Sequence, residues 1–378
     1  MYSSDSMSRV ALKSFGLQGM MMRYSLFVPR LYNLCLDLGF EAGKIMPSRA
    51  FCSDESQGFP TILLAKHFSA FPFNHGRVAG VVATDRHGPH AHHGKDLVIV
   101  QASHVGYDPE TKLFGGYRRY QTEGEENSTS CGKILATLAW YENELQLARH
   151  NVYLEADDKH RYIVVDNELM RSDREQGLVL NIDKMIDVES GAERSYSTSL
   201  RFIASKALRS LIGDESWSKG RRIAIEDKLV PELFSFKRTI SHDVEGHSYL
   251  ENNLIQAMPW ILCSEHPALV AAKVNTQMEF DRAYRSILRE PEYQGRNLLF
   301  ISGIHIDISP RRNQVFPLTK FIPWAAYHQT AAGETALYEQ EELNTMLRAQ
   351  SAENPDQIDL EEAIKQMEDE KEVTIEVC

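Results

Sequence analysis

DLVIVQASH, at residues 96–104, is the clearest strand pattern in this sequence. Its apolar residues run without a break from Leu97 to Val100, and His104 stands at its end. A continuous apolar run of this length is typical of a central strand that is buried on both faces of a sheet. The segment therefore predicts the core strand of an α/β domain, with His104 at its carboxyl end.

A second strand pattern, NLLFISGIHIDI, covers residues 297–308. Apolar residues recur at helical spacing in residues 25–50, in residues 131–149 and across much of 196–285. Strands that alternate with helices favour an α/β fold, and we expect a central, largely parallel sheet flanked by helices. We place this domain at residues 25–330, with a mainly helical section near 196–285.

Charge separates the C-terminal segment from the rest of the chain. The 378 residues carry a formal net charge of -12, and residues 331–378 hold 14 acidic against 3 basic residues. We therefore predict a solvated acidic tail at 331–378, in which residues 358–367 can form an amphipathic helix. The near-neutral body lacks the basic footprint of a nucleic-acid-binding protein, and no apolar stretch reaches the ~18 residues of a membrane span.

The N-terminus and the cysteines bear on location in the cell. Residues 1–24 hold Arg9, Lys13 and Arg23 against one acidic residue, Asp5. This composition predicts a flexible lead-in, with an organelle-targeting segment as the alternative. Five widely and irregularly spaced cysteines do not form a disulfide framework. They indicate a reducing compartment, and we expect a cytoplasmic protein.

Cys52, His104 and Cys131 are the candidate metal ligands. Cys52 follows a short apolar approach, His104 ends the best strand, and Cys131 opens a predicted helix. In open α/β sheets, sites form beyond the carboxyl ends of strands. Zn²⁺ favours thiolate and imidazole, and catalytic zinc sites commonly use three protein ligands. A helix N-terminus also lowers the pKa of a cysteine placed there. The spacing of the three residues is not specific by itself.

Short motifs around these residues resemble the limiting-CO2-inducible protein B/C family, a group similar to β-class carbonic anhydrases. In chain order the matching pieces are FCSDE at 51–55, AFPF at 70–73, a Gly- and His-rich stretch ending at His92-His93, SHVG at 103–106 and SCG at 130–132. The resemblance is firm over about residues 50–140 and weaker to about residue 325. The tail has no counterpart.

The resemblance implies a zinc lyase that hydrates CO2 to bicarbonate through zinc-bound hydroxide. It implies that Cys52, His104 and Cys131 bind Zn²⁺ and that Asp54 controls the fourth metal position, either beside a bound hydroxide or as a ligand itself. It further implies a homodimer or a higher homo-oligomer. The apolar content of residues 31–40 and 299–308 agrees with a dimer, because unpaired strand edges invite partner strands.

One feature departs from the β-class pattern. Many β-class enzymes hold the aspartate with an arginine two residues later, but Ser56 occupies that position here. We favour Arg77 as the replacement over Arg86 or Arg118. The histidines at His87, His90, His92 and His93 can be solvated, can relay protons, or can form a second metal site.

Two other functions stay open at this point. The same fold can be a catalytically silent zinc protein that acts as a scaffold or bicarbonate-linked partner, if Asp54 closes the metal site. A thiol hydrolase with Cys131 as nucleophile and His104 as base is the third candidate, but it leaves Asp54 unexplained. The fourth metal ligand distinguishes the first two.

Overall fold

The computed structural model describes residues 15–82, 95–119, 127–169, 175–196, 198–241, 247–311, 314 and 316–370. The chain divides into two compact units. We call Gly132–Val274 the insertion unit, and we call Lys13–Cys131 together with Asn275–Cys378 the main unit. Where the sequence predicts one domain at 25–330, Gly132–Val274 forms a compact unit of its own. No helix of the described ranges is long and apolar enough to cross a membrane.

The strands alternate with the helices along much of the chain. In chain order the strands are β1 (Met22–Arg23), β2 (Ile45–Ala50), β3 (Phe73–Asn74), β4 (Asp96–Asp108), β5 (Leu113–Phe114), β6 (Gly116–Arg118), β7 (Asn127–Thr129), β8 (Val152–Ala156), β9 (Arg161–Asp166), β10 (Gly177–Leu180), β11 (Ala192–Tyr196), β12 (Ser199–Ile203), β13 (Ile223–Ala224), β14 (Phe234–Lys237), β15 (Leu298–Ile308), β16 (Lys320–Gln329) and β17 (Thr335–Tyr338). The helices are α1 (Tyr24–Asp37), α2 (Gly58–Phe68), α3 (Gly132–Asn151), α4 (Ile182–Met185), α5 (Lys206–Ile212), α6 (His247–Leu254), α7 (Met258–Leu262), α8 (Pro267–Arg289), α9 (Gln340–Ala349) and α10 (Leu360–Asp369).

The main unit is built on a mixed sheet whose centre is parallel. Its strand order is β1-β16-β15-β4-β2-β3, and β17 and β5 extend it from β16 and β4. The β3, β2, β4 and β15 strands run parallel, whereas β16 is antiparallel to both of its neighbours, β15 and β1. This arrangement is the central, largely parallel sheet that the sequence predicts.

The alternation of side chains along β4 and β15 explains why both strands contain an unbroken apolar run, Leu97–Val100 in β4 and Leu298–Ile301 in β15. Val98 and Ile301 face α1 and α2, whereas Leu97 and Phe300 face α8. All four side chains are fully buried. Full burial of such a side chain contributes about 1.5–3 kcal/mol to the stability of the folded state. Packing on both faces therefore stabilises β4 and β15 at the centre of the sheet.

The insertion unit contains an antiparallel sheet with the order β11-β12-β9-β8-β13. Part of this sheet lies within residues 196–285, which the sequence predicts to be mainly helical. Within that range the helices α5 to α7 and most of α8 hold more residues than the strands β12, β13 and β14, which the sequence does not distinguish. The strands are short, with two to five residues each, so their alternation is too brief to separate from a helical pattern.

The predicted helix at residues 25–50 is also too long. The helix α1 ends at Asp37, and residues 45–50 form the parallel strand β2. Pro47 within this segment disfavours a helix because it lacks a backbone N–H donor. The start of the fold is earlier than expected, since Phe15 is buried and stacks on Trp324 at a ring-centroid distance of 4.8 Å.

The acidic segment at 331–378 is not a separate tail over most of its length. The strand β17 pairs with β16, and Leu343 and Leu347 of α9 lie fully buried in the core beside α1. Farther along, Ile358 N donates a backbone hydrogen bond to Lys66 O over 3.0 Å. The amphipathic helix predicted at 358–367 appears as α10, which has no buried residue. Charge misled the prediction because the acidic residues of α9 and those that flank β17 are exposed.

Candidate metal centre

Three ligand candidates meet at one edge of the main sheet. Cys52 lies just after β2, His104 lies in β4, and Cys131 lies two residues after β7. The β2 and β4 strands are parallel neighbours, so residues near their carboxyl ends are close in space. The ligand atoms of the three side chains all lie within 4.8 Å of one another. The structure therefore brings together the three residues that the sequence singles out.

Strand alternation also places polar residues of β15 beside His104. In the parallel register His305 lies directly opposite His104, and Asp307 follows two residues later. Residues two apart in a strand share one face. His104, His305 and Asp307 are all fully buried, and a polar cluster buried at this depth requires hydrogen-bond partners.

Asp307 supplies those partners for His104. Its Oδ2 atom lies 2.8 Å from His104 Nδ1. Because a carboxylate accepts hydrogen bonds, this contact places the imidazole proton on Nδ1 and leaves the lone pair on Nε2. Asp307 also accepts hydrogen bonds from Ser130 Oγ at 2.8 Å, Gln57 Nε2 at 2.9 Å, Ser56 Oγ at 3.0 Å and Thr319 Oγ1 at 3.3 Å.

The ligand atoms of His104 and the two cysteines remain available for a metal ion outside this hydrogen-bond network. His104 Nε2 is buried and has no hydrogen-bond partner among the described residues. Cys52 Sγ accepts a hydrogen bond from the Ala79 backbone amide at 3.2 Å, a contact that favours a thiolate. Two sulfurs and one imidazole nitrogen form a donor set that is compatible with Zn²⁺. A carboxylate that orients a ligating histidine through its other nitrogen is a common feature of metal sites.

The backbone near the cysteines adopts conformations that are unusual for non-glycine residues. Cys131 has a φ of 54° and Ala79 has a φ of 56°. Left-handed conformations cost such residues about 1–3 kcal/mol each and cluster at functional sites. Gly106 permits a close approach nearby, since a Cβ atom there would lie 2.5 Å from Gly116 O and 2.9 Å from Ser130 Cβ.

The ionisable ligand groups influence one another strongly. The pKa of Cys52 falls to about 3, chiefly because the Cys131 thiol donates a hydrogen bond to its sulfur. Because the Cys131 thiol keeps its proton to donate this hydrogen bond, the bond to Cys52 raises the pKa of Cys131, and burial raises it further. Burial alone lowers the pKa of His104, but its interactions with the two cysteines and its bond to Asp307 outweigh burial and raise the pKa. The site thus concentrates negative charge around protons that a divalent cation can replace.

Asp54 is held outside the ligand group by Arg119. Its Oδ1 atom lies 3.3 Å from Arg119 Nη2 and accepts the Ser56 backbone N–H at 3.1 Å. The same guanidinium contacts Glu55 and donates to Thr129 O at 2.8 Å. Arg119 therefore joins the segment two residues after Cys52 to the segment two residues before Cys131.

The structure places Arg119 beside Asp54, whereas the sequence favours Arg77 for that role. The Arg77 backbone N–H donates to Val81 O at 2.8 Å, and Arg118 pairs with Glu110 at 2.6 Å. Arg119 is 65 residues from Asp54 in sequence, and only the tertiary structure brings the two side chains together. Arg86 and the histidines at His87, His90, His92 and His93 lie outside the described residues.

Asp307 and the polar residues around it were not predicted. One signal was available in the sequence: His305 and Asp307 are polar residues spaced two apart in an otherwise apolar strand. That spacing places both on one face of β15. Ser56, Gln57 and Ser130 gave no comparable signal, since such residues are common in exposed loops.

Comparisons with known proteins support the fold. No protein-family model and no curated protein matches the sequence. A crystal structure of PtLCIB4, described as a homolog of the limiting CO2-inducible protein LCIB, is 11% identical and covers 87% of this chain and 99% of that chain, with a TM-score of 0.50. A mutant form of PtLCIB4 is 10% identical over 87% and 97% of the two chains, with a TM-score of 0.50. A crystal structure of LCIB is 12% identical over 90% and 100%, with a TM-score of 0.46. At these identities the likeness concerns the fold alone, and the chain has an LCIB-like fold.

Proposed function

We propose that this chain is a zinc-dependent carbonic anhydrase, which hydrates CO2 reversibly to bicarbonate. The observation that carries the proposal is the buried group of Cys52, His104 and Cys131, with His104 Nε2 free of hydrogen bonds among the described residues. Cys52 Sγ, His104 Nε2 and Cys131 Sγ are the atoms that would hold the metal. Bound zinc would supply a water acidified to a pKa of about 7, the value known for carbonic anhydrases.

In this proposal Asp54 handles the proton of the reacting water. Its carboxylate is two residues from Cys52, and its side chain is 13% exposed, so it can exchange protons with solvent. The Arg119 contact keeps Asp54 from becoming a ligand and orients its carboxylate. Asp307 acts on the other side of His104, where it fixes the ring and its tautomer.

Metal analysis combined with a CO2 hydration assay on the full chain tests the proposal. We expect one zinc per chain and measurable hydration. Cys52→Ala and Cys131→Ala should lose both, because each removes a sulfur ligand. Cys263→Ser is the matched control, since Cys263 is a free cysteine outside the ligand group. A native, metal-free protein would contradict the proposal.

A catalytically silent zinc protein is the second candidate, in which the chain acts as a scaffold or bicarbonate-linked partner. The depth of the site favours it: Cys52 is 7% exposed, Cys131 is 2% exposed and His104 is fully buried. Zinc bound at one equivalent without CO2 hydration would identify this function. Loss of zinc in the cysteine variants would then still be expected.

We also propose a homodimer in a reducing compartment such as the cytoplasm. The cysteines at 35, 52, 131 and 263 are free thiols, which a reducing compartment would preserve. The dimer rests on the resemblance of the metal-binding segments alone. The apolar surplus of α1 and β15 no longer supports it, because both elements are buried within one chain and β15 is paired on both edges.

A further inference from the structure

We propose that a basic cavity at one side of the main sheet binds a small molecule that carries a phosphate group. The cavity has a volume of about 1120 Å³ and lies where β1, β15 and β16 meet the start of α2. Its wall does not include Cys52, His104 or Cys131. The inference is therefore independent of the proposed metal chemistry.

Cationic side chains dominate the charge of the cavity wall. The wall carries Arg23, Arg118, Arg311 and Lys320, and its acidic residues are Asp108 and Glu110. Arg118 engages both acidic residues, with Nη2 lying 2.6 Å from Glu110 Oε2 and 3.5 Å from Asp108 Oδ1. Across the residues that the structure describes, the remaining cations at 23, 311 and 320 have no ion pair with an acidic side chain.

Two of these cations lie directly opposite each other. Arg23 of β1 is paired with Lys320 of β16 in the antiparallel register. Opposed residues in such a pair place their side chains on one face, with Cβ atoms about 4.5–5.5 Å apart. Like charges at opposed positions destabilise a ladder. A strand of two residues has few contacts to offset this repulsion, whereas a bound anion between the two charges would remove it.

The wall chemistry narrows the class of ligand. A guanidinium offers paired donors that match the oxygens of a phosphate, and three cations can balance a group with two or more negative charges. Phe59 and Leu318 form an apolar part of the wall, and Phe59 stacks on Phe316 at a ring-centroid distance of 5.7 Å. The cavity is also large enough for a ligand of nucleotide size. These features favour a phosphate attached to an organic group over a bare anion.

Thr319 relates the cavity to the buried polar cluster. Thr319 lines the cavity, and its hydroxyl donates to Asp307 Oδ1 at 3.3 Å. The cavity thus adjoins the residues behind His104. Because the ligand atoms of the metal centre are elsewhere, anion binding can be measured without any assay of CO2 hydration.

Titration calorimetry and thermal unfolding of the full chain test the proposal, with inorganic phosphate and ADP as probes. We expect saturable binding of both and tighter binding of ADP, because ADP adds an organic group that can contact Phe59. Arg23→Gln and Lys320→Gln should each weaken binding about tenfold or more, since each removes a charge-assisted hydrogen bond. Lys228→Gln, at an exposed lysine outside the cavity, should bind as the wild type does.

Folding defects can be separated from binding defects. Without ligand, Arg23→Gln and Lys320→Gln should unfold at or above the wild-type temperature, because each relieves the opposed charges. The proposal is overturned if neither probe binds saturably or if both cavity variants bind as tightly as the wild type. It is also overturned if sodium chloride at equal ionic strength raises the unfolding temperature as much as phosphate does. Zinc content is measured after each titration, so that metal loss is not mistaken for binding.

Discussion

Asp307 is the residue on which the buried polar cluster of the metal centre depends. Its carboxyl group is fully buried, and every partner around it is a hydrogen-bond donor. Only an acceptor with several lone pairs can satisfy that set. Its bond to His104 Nδ1 leaves Nε2 for the proposed metal, so Asp307 would orient a ligand without contacting that metal.

We therefore predict that Asp307→Asn weakens zinc binding while the chain stays folded. An asparagine keeps the shape but replaces one acceptor oxygen with an NH2 donor, which opposes the donors around it. Loss of such a partner typically lowers metal affinity about 10- to 100-fold. Competition with a chelator measures the affinity, and circular dichroism checks the fold. Unchanged affinity would contradict this role, and Asp281→Asn, at an exposed ion pair, is the control.

Arg119 gives a second prediction at this scale. Arg119→Gln should keep zinc but lower CO2 hydration about 100-fold, because Asp54 loses the contact that positions it. Asp54→Ala should have a similar effect with zinc retained. Stopped-flow hydration with a pH indicator measures both, with Arg285→Gln as the control. If Arg119→Gln keeps full activity, the Asp54–Arg119 pair has only a structural role.

The candidate site shows what single residues reveal in sequence. Cys52, His104 and Cys131 could be grouped because each has strong metal chemistry and lies beside or within a recognisable sequence pattern, although β4 continues past His104 to Asp108. Arg119 could not be assigned, because one arginine in a loop resembles any other until the tertiary structure is known. Residue type singled out the ligand candidates, whereas the side chains that orient them depend on tertiary structure.

At the scale of elements, long strands with continuous apolar runs were predictable and short ones were not. The patterns at 96–104 and 297–308 became β4 and β15, and the helix at 131–149 became α3. The sequence does not predict helix α2, because the helix begins at Gly58 and contains Pro60. Both residue types disfavour a helix in isolation. Its start nevertheless positions Gln57, so tertiary packing decides this part of the site.

The α9 helix leads to a prediction about truncation. A chain that ends at residue 330 should unfold or aggregate, because it loses Leu343 and Leu347 from the core. Their burial contributes about 3–6 kcal/mol, against a total stability of about 5–15 kcal/mol for a typical protein. A chain that ends at Asp359 loses α10, which buries nothing, and should unfold within a few degrees of the full chain. Thermal unfolding of both truncations measures the difference, and a stable chain ending at 330 would contradict it.

The hydrogen bond between Asn354, which follows α9, and His67 should be sensitive to acid. Burial, with a smaller effect of Lys66, lowers the pKa of His67 to about 4, and Asn354 Nδ2 donates to its Nδ1 atom at 3.3 Å. The unfolded chain takes up this proton near pH 6.5, so the stabilisation is complete above pH 6.5 and is lost as the pH falls to about 4. Denaturant titrations measure the free energy of unfolding at each pH. Between pH 6.5 and about 4 this free energy should fall less for His67→Gln than for the wild type. His150→Gln, at an exposed histidine, should behave like the wild type, and equal acid sensitivity of His67→Gln would contradict the assignment.

At the scale of the whole molecule, the division into two units limits what sequence could predict. The main unit combines residues from both ends of the chain, and the insertion unit interrupts it directly after Cys131. Strand periodicity is local and does not report which distant segments share a core. Most of the net charge of -12 comes from residues 331–378. Because Leu343 and Leu347 of α9 in that segment are buried in the core of the main unit, charge alone does not mark a domain boundary at residue 330.

Assembly is the last prediction, and it concerns the whole chain. We expect a stable homodimer of two 43.0 kDa chains, because the metal-binding segments resemble those of a family whose subunits complete one another's pockets. Asp54 and Arg119 keep side-chain exposures of 13% and 17%, so a partner chain has access to this side of the metal centre. Sedimentation equilibrium and CO2 hydration, measured over the same dilution series, should show activity falling as the dimer dissociates. Zinc content should stay constant across the series, because all three ligand candidates belong to one chain. A 43.0 kDa species that retains full activity at every concentration would exclude a role for the dimer in catalysis.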